Sequence, residues 1–146
     1  MVGGARDPEL AKELKTIGNR LPNLALPAEL SHAPTRQRIR HAHVLVVPSR
    51  MEGGANVIVE AVVSGTPVLA ADCDGNIGML GEDYAGYFPT GDAKALAMLV
   101  SRCRDEPAYL RRLARMCSAR ARHFRPAAER RALMALLAHT LKGDNR

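Results

Sequence analysis

Two carboxylates, with seven residues between them, bracket a glycine pair in the segment Pro48-Ser49-Arg50-Met51-Glu52-Gly53-Gly54-Ala55-Asn56-Val57-Ile58-Val59-Glu60-Ala61. Glycines let a main chain approach a ligand without side-chain obstruction. Where a helix begins directly after them, its first N–H groups lack intrahelical acceptors and gather partial positive charge, and a diphosphate is the natural occupant of such a place. The same Gly-Gly also suits an ordinary strand-to-helix turn. Glu60 sharpens the choice. The residues around it, from Val57 to Val63, are apolar nearly all round, which predicts a helix buried on most sides. A carboxylate there is costly unless something hydrogen-bonds to it. A structural arginine is one such partner; the hydroxyls of a ribose are another. Glu60 lies about 6 Å along the helix axis from Asn56. Glu52 and Glu60 therefore fall on opposite sides of the phosphate position.

The elements that must position these groups follow from the pattern. Asp7-Pro8-Glu9 predicts a helix to about Asn19, with proline and an acid in its first turn. Asn23 to Leu26 reads as a short strand. Pro34 to Ala42 reads as a helix, and His43 to Val47 as a buried strand stopped by Pro48. A helix from Ala55 to Ser64 ends at Gly65, and Val68 to Ala70 is the next strand. The stretch after it, with Asn76 and Gly78, reads as a loop whose N–H groups either touch a sugar or phosphate or form a tight turn. Gly86 to Pro89 suggests one more short strand. Asp92 caps a helix to about Arg104, Pro107 starts another to about His123, and Pro126 a last one to about Leu141. This alternation specifies an α/β fold, a parallel sheet with helices on both faces, followed by a helical C-terminal third. In such sheets ligands bind outside the carboxyl ends of the strands, where the Glu52–Asn56 loop falls.

Length and composition agree. The 146 residues suit one domain with a real core, and 47% apolar against 25% charged residues is a globular balance. There is no apolar run long enough to span a membrane and no leader-like N-terminus, so the chain is expected in the cytoplasm. Cys73, Cys103 and Cys117 are too scattered for a zinc knuckle or a disulfide framework and are expected to be idle thiols; no metal and no cofactor is expected. The net charge of +6 is concentrated: ten arginines lie between Arg102 and Arg131, against Asp105, Glu106 and Glu129. Such a patch suits nucleic acid, anionic lipid or a phosphorylated ligand, and equally a solvated helical face. With 3% aromatics and no tryptophan, a stacking platform for single strands is hard to build, and no nucleic-acid partner is expected. His41, His43 and His123 have no carboxylate at triad or metal spacing and are read as structural. Arg50 suits pairing with Glu52 or with phosphate.

The motif resembles a known family. Glu52 and Glu60, preceded by Pro48-Ser49 and followed by Gly65-Thr66-Pro67-Val68, look like the donor site of the retaining family 4 glycosyltransferases of GT-B fold. Asp92, Ala93 and Leu96 resemble that family's next conserved segment, and the likeness is strongest from His41 to Leu99. It implies a Rossmann-like donor domain that takes a nucleotide sugar, a UDP-sugar, and passes the sugar to a small-molecule acceptor. It also implies roles. Glu60 would hold the ribose, Glu52 would contact the transferred sugar, and the backbone of Gly53, Gly54, Ala55 and Asn56 would cradle the diphosphate. Asn76 and Gly78 would stand at the sugar or phosphate. A narrower likeness joins Ser49 to Asn56 and Gly75 to Pro89 to the selenosugar synthase branch of selenoneine biosynthesis, which joins selenophosphate to UDP-N-acetylglucosamine. This chain lacks the Gly-Gly-x-Pro-Glu pattern most members carry near Gly75. Val2-Gly3-Gly4 resembles the end of a later strand. The resemblance therefore predicts a single donor domain over residues 1–146, truncated at its N-terminus and without an acceptor domain. Its alternatives are an inactive nucleotide-sugar-binding fragment or a basic helical protein that binds nucleic acid.

Overall fold

A computed structural model describes residues 7–25, 30–125, 127, 130, 131 and 133–136. The chain divides into two units, Met1–Arg38 and Ile39–Arg146. In the first, α1 (Pro8–Arg20) begins as its sequence dictates. The Asp7 carboxylate accepts from the amides of Glu9 at 2.9 Å and Leu10 at 3.3 Å, with Pro8 in the first turn. None of its residues is buried. The strand expected from Asn23 does not form. Leu21 to Leu24 is instead a turn, closed by the Leu24 amide on the Leu21 carbonyl at 2.9 Å, with Pro22 and Asn23 at its centre. Proline and asparagine favour those central positions, and this local chemistry outweighs two flanking leucines. Leu26 and the residues Val2 to Gly4 lie outside the described residues. Next comes α2 (His32–His41), two residues earlier at its start than the sequence suggests.

Among the described residues, the second unit is built on three parallel strands in sequential order: β1 (Leu45–Val47), β2 (Val68–Ala71) and β3 (Tyr87–Phe88). Leu45, Val46 and Val47 pair with Val68, Leu69 and Ala70; Ala70 and Ala71 pair with Tyr87 and Phe88. All four residues of β2 are buried, so both of its faces are covered. Between β1 and β2 runs α3 (Asn56–Ser64), ended by Gly65 at φ 76°, where the left-handed backbone favours glycine. Thr66 then donates its hydroxyl to the Ile39 carbonyl at 2.9 Å. After β3 come α5 (Ala93–Asp105), capped by the Asp92 carboxylate at 2.9 Å from two amides, and α6 (Pro107–Arg120). The expected extension of α6 to His123 is a 3-10 turn, Ala121–Phe124. Of the last predicted helix, the described residues within 127–136 are helical and the remainder lies outside the described residues.

Both α3 and α6 pack on β2 and on each other, and α5 packs on β3 and α6. The core they enclose centres on Ile58, Val62, Leu69 and Leu113, all at most 1% exposed. Cys103 and Cys117 belong to it as buried, unlinked thiols. Tyr84 ties the core to the sheet. Its hydroxyl donates to the Val68 carbonyl at 2.6 Å, accepts from the Val68 amide at 3.1 Å and touches Cys117 Sγ at 3.3 Å.

Asn76 and Gly78 do not lie in a loop: Asp74–Leu80 forms a seven-residue helix, α4. Two glycines in seven residues argue against a helix on propensity. Tertiary bonds overrule it. The Asn76 side chain donates to the Ala71 carbonyl at 2.9 Å, and Tyr87 donates to the Gly81 carbonyl at 2.9 Å. Arg120 donates to the carbonyls of Gly78 and Met79, both at 3.0 Å, where the helix's last acceptors are otherwise unmatched.

Candidate functional site

Adjacent parallel strands deliver their carboxyl ends to one edge of the sheet, and the loops leaving β1, β2 and β3 start there. From β1 comes Pro48–Ala55, the loop carrying Glu52, Gly53 and Gly54. From β2 come Asp72, Cys73 and then α4. From β3 comes Pro89–Asp92. The first two loops touch. Gly75, in the first turn of α4, lies directly against the main chain of Glu52, and the next approach is at Gly54, where a β-carbon would stand 3.8 Å from Met79 Sδ. The third is tied to the second: Asp72 Oδ1 accepts from the Thr90 amide at 2.7 Å and the Thr90 hydroxyl at 2.9 Å. These bonds hold the Asp72 carboxyl below its ordinary range. The Asp72–Thr90 tie was not visible in the sequence, because the two residues lie 18 apart and neither stands in a recognisable spacing.

Within the first loop, Gly54 has φ 133°, a conformation that L-residues rarely adopt. This places the second glycine of the pair under a backbone requirement; the first, Gly53, is exposed with open space around it. Ala55 is the N-cap of α3, buried at 7% exposure, and no side chain caps the helix. Alanine is among the poorest N-caps. The amides of the first turn, starting with Asn56 and Val57, are therefore left without a side-chain acceptor, and they open from the glycine loop. Asn56 is exposed. Glu60 follows one turn later on the same side of α3, half-buried, with its Oε2 shielded from solvent. Glu52 is half-buried. Helix α3 is less enclosed than its composition predicts: Ile58, Ala61 and Val62 are buried, whereas Val63 is 59% exposed.

The structure thus gathers Glu52, Gly53, Gly54, Ala55, Asn56 and Glu60 along one loop and one helix start. The predicted pair Asn76 and Gly78 divides. Asn76 stands in the first turn of α4, next to the residue that abuts Glu52, but its side chain is fully buried, with Nδ2 committed to the Ala71 carbonyl and Oδ1 shielded from solvent. Gly78, the fifth residue of α4, has its amide in the helix's own ladder, and only its surface is exposed. Arg50 is exposed and makes no ion pair with Glu52 among the described residues. His41, His43 and His123 are exposed on the surface rather than built into the core. No cluster of three potential metal ligands occurs among the described residues, and no described helix is long and apolar enough to cross a membrane.

An open parallel sheet with a glycine loop and an uncapped helix start at its carboxyl edge is a build on which unpaired amides and partial positive charge are offered to solvent. The comparisons with known proteins place it further. The profile of the family "Glycosyl transferases group 1" matches residues 1–106. The chain belongs to this glycosyltransferase family. It is 40% identical over 85 residues to the D-inositol 3-phosphate glycosyltransferase of Streptomyces avermitilis, a match covering 58% of this chain and 18% of that protein. Among solved structures it superposes on the sucrose-phosphate synthase of Thermosynechococcus elongatus with a TM-score of 0.73 and 24% identity, over 97% of this chain and 38% of that one. The fold is accordingly that of the GT-B glycosyltransferases. The chain spans well under half the length of either of these relatives.

Proposed function

We propose that the loop from Pro48 to Ala55 and the first turn of α3 bind the diphosphate of a UDP-sugar, so that the chain acts as the donor-binding part of a glycosyltransferase. The observation that carries this reading is the start of α3: an alanine N-cap, no side-chain cap, and a glycine at φ 133° immediately before it. Amides of Gly54, Ala55 and Asn56 are then the phosphate donors. Glu60, one turn in, accepts from the ribose hydroxyls, and Glu52 faces the transferred sugar. When the glycosidic bond to the diphosphate breaks, negative charge grows on the departing phosphate. The helix start meets that charge with fixed dipoles that need no reorganisation.

The finer reading is UDP-N-acetylglucosamine as donor and selenophosphate as acceptor in the complete enzyme. It is supported by the likeness of residues 49–56 and 75–89 to the selenosugar synthase branch. Because the chain spans 18% and 38% of the two relatives, the role proposed for these residues by themselves is to hold the donor. Transfer also needs an acceptor held in line.

Calorimetric titration with uridine diphosphate tests the donor reading. Glu60→Ala should weaken binding by on the order of 1.5–3 kcal/mol, the range of a charge-assisted hydrogen bond. Equal affinity in a folded variant removes Glu60 from the ribose. A wild-type chain that binds no nucleotide removes the donor reading altogether.

A further inference from the structure

We infer that Gly75 is a positioning residue for Glu52, and that its side chain is absent because the Glu52 main chain occupies the space a β-carbon would need. The inference rests on the reading of Glu52 as a donor-site residue. Gly75 is the second residue of α4 and does not have a positive φ, so conformational freedom does not account for it. A glycine in a helix is disfavoured against alanine, which leaves packing as the reason. A β-carbon built on Gly75 would overlap the Glu52 carbonyl oxygen, stand 2.6 Å from its carbonyl carbon and 3.0 Å from its Cβ. The first two are main-chain atoms, which cannot rotate aside. Three residues on in the same helix, a β-carbon on Gly78 would meet nothing within 4 Å.

One of the two partners has to yield, and α4 is the better anchored. Asn76 bonds it to the end of β2, Arg120 holds two of its last carbonyls, and Tyr87 holds the carbonyl of Gly81 just beyond it. Glu52, by contrast, lies in a loop, and its main-chain atoms appear in no hydrogen bond outside regular elements among the described residues. A methyl group at position 75 therefore displaces Glu52 and leaves α4 in place. Gly75 fixes the point from which the Glu52 carboxylate reaches the sugar, without touching the sugar itself.

Titration with UDP-N-acetylglucosamine, together with amide spectra of the ligand-free protein, tests this. Gly75→Ala should lower affinity about tenfold, whereas Asp74→Ala, an exposed neighbour in the same turn, should change it less than twofold. In a Glu52→Ala background, adding Gly75→Ala should cost less than a further threefold, because the residue acts through Glu52. Fully additive losses, or a Gly75→Ala protein that binds like wild type, would overturn the inference. So would a Gly75→Ala protein that does not fold while Asp74→Ala does, since the contact would then determine the fold. Should the wild type bind no UDP-sugar, the functional reading fails by itself and the spectra decide. Larger shifts at Met51 to Gly53 from Gly75→Ala than from Asp74→Ala uphold the contact, and equal shifts refute it.

Discussion

Asp72 shows how a single side chain at the edge of the sheet couples two loops. Its Oδ1 takes two bonds from Thr90, and both favour the ionised carboxylate, so its titration lies below the ordinary 3.8. A carboxyl lowered in the folded state adds stability above its unfolded value and loses it as the pH falls through the folded one. The difference in melting temperature between wild type and Asp72→Ala should therefore stay constant from neutral pH to about pH 5, and shrink progressively below about pH 4. Thermal melts across that range check it; a difference that grows on acidification would contradict the assigned bonds. At this scale the sequence was informative where chemistry is local. The placing of Glu52, Gly54 and Glu60 along one loop and the helix after it was legible by type and spacing, since the two are continuous in the chain. Asp72–Thr90 and Gly75–Glu52 were not, because each joins residues that only the folded sheet brings together.

Helix α4 is the element whose existence depends most on its surroundings. Read by propensity, Asp-Gly-Asn-Ile-Gly-Met-Leu is a loop; in the fold it is a helix fastened at both ends. Arg120 supplies two of the fastenings with a guanidinium fork that lysine cannot reproduce. Arg120→Ala should destabilise the protein by on the order of 2 kcal/mol, as two charged hydrogen bonds, one part-buried and one exposed, are lost, and Arg120→Lys should recover only part of it. Urea denaturation measures both; full recovery by lysine would show that charge alone suffices. The elements that were legible had their own punctuation: Asp7-Pro8 and Asp92 for two helix starts, Gly65 for a helix end, and a valine-rich run before Pro48 for β1. The expected strand at Asn23 failed for a reason of the same kind, the Pro22-Asn23 turn closed by Leu24 on Leu21. Where an element is held by partners outside itself, as α4 is by Ala71, Tyr87 and, 41 residues beyond Met79, Arg120, its own residues carry no signal for it.

Across the whole second unit, helices α3 and α6 close over a sheet of three short strands, and the sequence's α/β alternation carried that much of the architecture. The layers were legible in that alternation; the shared edge where all three loops meet follows from strands running parallel. The arrangement also distributes the three cysteines in a way that has practical use. Cys103 and Cys117 lie in the core, and burial raises both thiols above their ordinary range, which suppresses the thiolate that reacts. Cys73 is half-exposed at the N-cap of α4, between Asp72 and the turn that abuts Glu52. The molecule therefore carries its own pair of chemical clocks. Under native conditions iodoacetamide should alkylate Cys73 first, at a rate that a bound nucleotide sugar slows. Cys103 and Cys117 should follow only as fast as the core opens, so mass spectrometry of one reaction would time occupancy of the loop edge and breathing of the interior together.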